Sequence, residues 1–287
     1  MIRFILGRLV KAVFILLAIL VFNFLLIHAA PGDPAAVMAG EAGAADEKFL
    51  ADLRARFGLD QPLYMQLWLY IKGAVQLDLG YSFRQQMPVA EMIGDRLPAT
   101  LLLTGVAFVL SLVLGVTAGV AASARQGRWG DTLISTFALL FYATPLFWVA
   151  LMATLVFSVW LEWLPGFGYS TIGAGYTGFA HVLDVAKHLV LPASTLGLFF
   201  TAIYMRMTRA SMLEVSRLDF VKTARAKGLT HGVIQRRHIL RNALLPVITL
   251  AGLQAGQIFG GAILTETVFA WPGIGRLMFE AINQRDY

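Results

Sequence analysis

The chain has 287 residues, 58% hydrophobic and only 14% charged, with a net charge of +6 and a mean hydropathy of +0.70. An ordinary soluble domain carries about 25% charged residues, so much of this surface must meet lipid, and a soluble globular fold does not fit. Cysteine is absent, which removes disulfides, thiolate chemistry and cysteine-held metals.

Five stretches read as membrane spans in chain order: Ala12–Ala30, Leu97–Ala124, Thr132–Leu161, His188–Met205 and Asn242–Thr265. None contains Asp, Glu, Lys or Arg, and a bilayer crossing needs roughly 20 such residues. Soluble core helices carry a polar stripe that these stretches lack. The first is longer than the apolar core of a signal peptide and is followed by an Ala-Ala-Pro-Gly-Asp-Pro turn, so it reads as a retained helix.

Residues 31–96 form a long loop after the first span. Asp46–Phe57 is helix-like and stops at Gly58. Pro62–Gln76 interleaves apolar and aromatic residues, which suits a helix on the membrane surface or one packed on the spans. Gly115 and Gly119 in the second span are spaced for close helix approach. Pro145 should kink or break the third. Leu164–Phe179, rich in glycine, reads as a loop, and Trp148, Trp160 and Trp163 suit an interfacial belt. The fifth span carries a ladder of Gly252, Gly256 and Gly260. Gln254 and Gln257 beside it, and Glu266 just past it, are candidates for lining a pathway; interhelical hydrogen bonding is the other reading of the two amides.

Lys and Arg mark the cytoplasmic side. Arg3, Arg8 and Lys11 place the N-terminus inside. Alternation then puts Arg125 and Arg128 inside, together with the nine basic residues from Arg206 to Arg241. The positive balance is therefore a topology signal rather than a nucleic-acid signal.

The connection between the fourth and fifth spans is the most informative segment. Asp219 is placed to cap a helix, Arg225 and Lys227 to meet its C-terminal dipole, and Gly228 to take a left-handed closing position. These signals predict a short helix over Phe220–Lys227. Thr230 caps a second helix through Arg236, Arg237 and Arg241, and Pro246 marks its junction with the fifth span. A stiff capped helix between two spans suits either a soluble partner or, as a basic loop, anionic lipid.

Asp219-Phe-Val-Lys-Thr-Ala-Arg-Ala-Lys-Gly228, followed by Arg241-Asn-Ala-Leu-Leu-Pro246, resembles the cytoplasmic loop of ATP-binding-cassette importer permeases. It is similar to the version in dipeptide, oligopeptide, glutathione and nickel systems. Lys222-Thr223-Ala224 stands where the generic loop has Glu-Ala-Ala. Pro31-Gly-Asp-Pro34, Gly58-Leu-Asp-Gln-Pro62, Leu79-Gly-Tyr-Ser82 and Glu266-Thr-Val-Phe-Ala-Trp-Pro-Gly-Ile-Gly275 follow in the family's order.

The resemblance implies an all-α, polytopic transmembrane bundle of the type I importer permease kind, with a sixth span expected after Tyr287. Its parts are residues 1–30 (N-terminal segment and first helix), 31–96 (external loop) and 97–287 (permease core, with a coupling loop over 209–241). It implies a bacterial inner-membrane subunit that forms a pathway with a second permease for peptides or related small solutes. Cytoplasmic ATPases and an external binding protein are the other implied partners. Phe220, Ala224, Arg225, Ala226 and Gly228 are candidates for the ATPase contact, with Asp219 and Lys227 fixing the helix ends. The chain has no Gly-x-x-x-x-Gly-Lys-Ser/Thr loop, so ATP and Mg are expected on the partner subunits, with no cofactor, metal or catalytic site in this chain.

A secondary transporter or channel not driven by ATP is the alternative. Ion coupling would call for intramembrane carboxylates, which the five spans lack. An intramembrane enzyme would need a nucleophile–base or metal-ligand pair, and no such motif occurs.

Overall fold

A computed structural model describes residues 2–29, 60–82, 84–284 and 286. The expected helix over Asp46–Phe57 and the Pro31–Pro34 turn lie outside the described residues. The helices are α1 (Ile2–Ala29), α2 (Leu63–Val75), α3 (Val89–Ala124), α4 (Trp129–Ala143), α5 (Leu146–Thr154), α6 (Gly178–Val215), α7 (Asp219–Ala226), α8 (His231–Val233), α9 (Arg241–Val268) and α10 (Ile274–Gln284). Two π-helical turns join them, π1 (Leu155–Trp160) and π2 (Ile234–Leu240). A two-residue antiparallel pair, β1 (Tyr81–Ser82) with β2 (Met87–Pro88), precedes α3.

Among the described residues four helices are long and apolar enough to cross a membrane, and a bent pair makes a fifth when counted as one span. The bend is at Pro145, where α4 and α5–π1 meet at 101°. Proline offers no N–H to the preceding turn and pushes the residue before it out of the helical region. Thr144 is accordingly extended (ψ 136°), and Pro145 caps the start of α5.

Observed helices overrun the apolar runs. The fourth span, expected over His188–Met205, continues from Gly178 to Val215 because the polar residues at its ends keep helical geometry. Pro246, expected at a junction, lies inside α9. The helix passes through it from α8 and π2 without interruption.

The chain divides into two compact units, Met1–Asp95 with Glu280–Tyr287, and Arg96–Phe279. In the first, α2 packs along α1: Phe24 is buried against His28 and Tyr70, and the His28 ring meets Gln66 Oε1 at 3.0 Å. Trp68 and Tyr64 on α2 stay exposed. Ser82 donates to Asp286 Oδ2 and accepts the Gln85 N–H, while Arg84 donates to the Gln284 carbonyl.

In the second unit α6 is the hub, the most buried of the span-length helices, with α4, α5 and α9 packed on it. Gly115 and Gly119 do what their spacing foretells. A Cβ at Gly115 would lie 2.5 Å from Tyr204 Cβ, and one at Gly119 2.6 Å from Thr208 Cβ, so α3 and α6 touch backbone to side-chain root. The ladder in α9 behaves otherwise. A Cβ at Gly252, Gly256 or Gly260 would meet nothing within 4 Å among the described residues, and the neighbouring Gly261 faces Leu196 and Phe200 instead.

Candidate functional site

The loop between α6 and α9 builds a small platform. Helix α7 opens one residue earlier than expected. Leu218, not Asp219, occupies the capping position, and no side-chain bond closes that end. Asp219 is the first helical residue, 93% exposed, and pairs with Lys222 at 2.8 Å. So exposed a pair contributes at most about 1 kcal/mol. At the other end Gly228 takes φ +78°, its N–H donates to the Arg225 carbonyl, and the Leu229 N–H reaches the Ala224 carbonyl. This is a Schellman closure, and the left-handed conformation it needs favours glycine. Thr230 caps α8 by position, without a side-chain hydrogen bond.

Val221 and Ala224, three residues apart on α7, are buried with Met212 of α6, Ile234 and Ile239 of π2, and Ala243 of α9. One apolar cluster thus ties α7 to the helices on both sides of it. Phe220, Lys222, Thr223, Arg225, Ala226 and Lys227 form the exposed surface. The two alanines of the expected contact set therefore point apart: Ala226 outward, Ala224 into the chain's own core. A helix turns about 100° per residue, which separates positions two apart by roughly 200°.

Beside this platform two helices are bolted together. Arg209 of α6 donates from Nε and Nη2 to the two carboxylate oxygens of Asp131, each at 2.7 Å. Asp131 is 5% exposed, lies in the first turn of α4, and also accepts the Gly127 N–H at 3.2 Å. Sequence reading passes over this pair, which is 78 residues apart; an acid at the very start of one span and an arginine near the end of another is its only trace.

The three candidates for a pathway separate. Gln254 is buried, Gln257 is exposed, and Glu266 is 0% exposed. The Glu266 carboxylate is enclosed: Thr100 donates to Oε1 at 2.7 Å and the Arg276 N–H to Oε2 at 3.0 Å. Thr100 in turn accepts the Ile274 N–H at 2.8 Å, and the Trp271 indole donates to the Ala99 carbonyl at 2.9 Å. Glu266 thus holds the turn that leads into α10. A Cβ at Gly273 would overlap its carboxyl group.

The loop expected over Leu164–Phe179 is held in place. Thr171 gives both its N–H and its hydroxyl to Asp184, each at 2.7 Å, Gly168 donates to the Phe269 carbonyl, and Tyr169 packs on Trp271. Trp148, Trp160 and Trp163 are exposed. Among the described residues no group of three His, Cys, Asp or Glu side chains is assembled to hold a metal.

Two family models cover the chain from end to end. "Binding-protein-dependent transport system inner membrane component" matches residues 96–287, and its N-terminal companion matches residues 1–104. The chain is 42% identical to the dipeptide transport system permease protein DppB of Alkalihalophilus pseudofirmus, over 100% of this chain and 90% of that protein. It is 41% identical to the glutathione transport system permease protein GsiC of Escherichia coli, over 100% and 89%. Among solved structures, the MetNI methionine ABC transporter in inward-facing conformations superposes with a TM-score of 0.52. That match covers 67% of this chain and 81% of the other at 18% identity, which speaks to the fold alone.

Proposed function

The chain belongs to the family of binding-protein-dependent transport system inner membrane components, and from that premise we propose that α7 is the element through which partner ATPases drive it. It is a permease subunit of an ABC importer, built as a multi-pass membrane bundle. In this reading α7 lies on the cytoplasmic side, as do the N-terminus and the α3–α4 turn, in line with the basic residues concentrated there. Phe220, Arg225, Ala226 and Lys227 meet a groove on the ATPase, Gly228 closes the helix, and Val221 and Ala224 anchor it from beneath. ATP and Mg are bound by the partner. A second permease completes the pathway and an external binding protein delivers the solute.

The observation that carries this reading is the combination of a closed C-terminus and a buried cluster shared with α6, π2 and α9. A helix held this way cannot be displaced without moving its neighbours, because packed interiors transmit strain. A flexible basic loop touching lipid would need neither feature. The transported solute is a peptide-class molecule, a reading supported by relatives named for dipeptide and glutathione.

The test is Gly228→Val. A β-branched residue at φ +78° is strained and should unwind the end of α7. Co-purification of the ATPase subunits and solute uptake should both fall. Unchanged assembly together with unchanged uptake would remove α7 from the coupling role.

A further inference from the structure

We propose that Asp131 and Arg209 form the latch that carries the displacement of α7 into the bent third span. The idea rests on the coupling role of α7 given above. Both are positioning residues.

Four observations converge. First, Met212 of α6 belongs to the cluster that anchors α7, and Arg209 precedes it by one turn on the same helix. A force on α7 therefore reaches α6 beside Arg209. Second, apart from the fork, α4 and α6 meet through an apolar cluster of Ala138, Ala202 and Met205, with Ile134 and Ala118 of α3 against it, and through the stacked rings of Tyr142 and Phe199. Apolar and ring contacts of this kind are less directional than hydrogen bonds to charged groups. The guanidinium–carboxylate fork, with both hydrogen bonds at 2.7 Å, has a fixed geometry that only one register satisfies.

Third, the carboxylate is itself held. It is 5% exposed, accepts the Gly127 N–H from the turn before α4, and stands in the first turn of a helix whose exposed N–H groups favour an anion. Gly127 adopts φ +73°, which fixes that turn. Arg125, in the turn before α4, is otherwise placed: it donates to the Ala121 carbonyl and lies over Gly130. Fourth, α4, 15 residues long, holds the latch in its first turn and ends at the 101° break at Thr144–Pro145. A break is where an imposed rotation is absorbed. The latch and the break thus sit at opposite ends of one short rigid rod.

The experiment uses the assembled complex in proteoliposomes and records ATP hydrolysis and uptake of a labelled dipeptide in the same preparation. Asp131→Asn and Arg209→Lys each abolish the fork; lysine keeps the charge but not the two-pronged geometry. Uptake per ATP hydrolysed should fall roughly three- to tenfold in each, the scale of coupling changes along packed networks. The exchanged pair Asp131→Arg with Arg209→Asp should recover part of the loss. A merely stabilising pair would lower both activities together, in proportion to folded protein, and leave uptake per ATP at the wild-type value. That result, or singles indistinguishable from wild type, overturns the latch. A wild-type complex without ATP-dependent uptake would instead overturn the coupling reading beneath it.

Discussion

Glu266 near the end of α9 and Thr100 on α3 share a 2.7 Å hydrogen bond inside the protein, 166 residues apart in sequence. The same threonine hydroxyl accepts the Ile274 N–H, so one side chain satisfies two partners, one of them the fully buried Glu266 carboxylate. Thr100→Val keeps the shape and removes both bonds. Leaving buried partners unmatched should cost about 1–3 kcal/mol. Thermal unfolding in detergent should show a lowered midpoint for the valine variant, with Thr100→Ser close to wild type. An unshifted Thr100→Val midpoint would mean that the network adds nothing.

Gly273 supplies a second check on the same turn. Its missing side chain is what lets the backbone pass the Glu266 carboxylate. Gly273→Ala must move one or the other, and the yield of monodisperse protein on size exclusion should drop. Pairing it with Glu266→Ala, which frees the space, should restore part of that yield.

The two glycine sets make opposite predictions. Gly115→Val drives a branched side chain into the root of Tyr204, and overpacking of this kind costs about 1–3 kcal/mol. Gly256→Val places its Cβ where none of the described residues lies within 4 Å and should leave the thermal midpoint of the isolated subunit unchanged. Equal midpoints for the two variants would contradict the α3–α6 packing described here.

Helix α7 should divide by side. Ala224→Leu overfills the cluster of Met212, Val221, Ile234, Ile239 and Ala243 and should lower stability by about 1–3 kcal/mol. Phe220→Ala strips an exposed ring and should leave the unfolding midpoint in place while weakening retention of the ATPase subunits on an affinity column. A fallen midpoint for Phe220→Ala would mean that the ring is structural.

Most of the membrane architecture was legible in the sequence, because uninterrupted apolar runs have few readings and Pro145 and Gly228 impose their backbone geometry locally. Side-chain partnership was less so. Asp219 satisfies the sequence rule for a cap, yet it enters the helix and turns to Lys222, since Leu218 can hold the extended position without a side-chain bond. The glycine ladder of α9 announced close approach but not to which surface, and among the described residues none lies within 4 Å of a Cβ built there. Asp131–Arg209 and Thr100–Glu266 depend on tertiary packing between distant helices, which local periodicity does not encode. Glu266 sits next to an apolar run, where a pathway and a buried structural bond leave the same trace. The bonds to Thr100 and the Arg276 N–H come into view only in the folded chain.

The central claim is that this permease moves its solute when ATPases act through α7. It is tested most directly by uptake of a labelled dipeptide into proteoliposomes holding the full complex, with ATP supplied on the ATPase side. Wild type is compared with the double variant Phe220→Asp, Arg225→Glu, which alters only exposed positions of α7. The account predicts ATP-dependent accumulation for wild type and its loss in the double variant, with the isolated variant subunit unfolding at the wild-type temperature. Full ATP-dependent uptake by the double variant, or wild-type uptake indifferent to ATP, would contradict it.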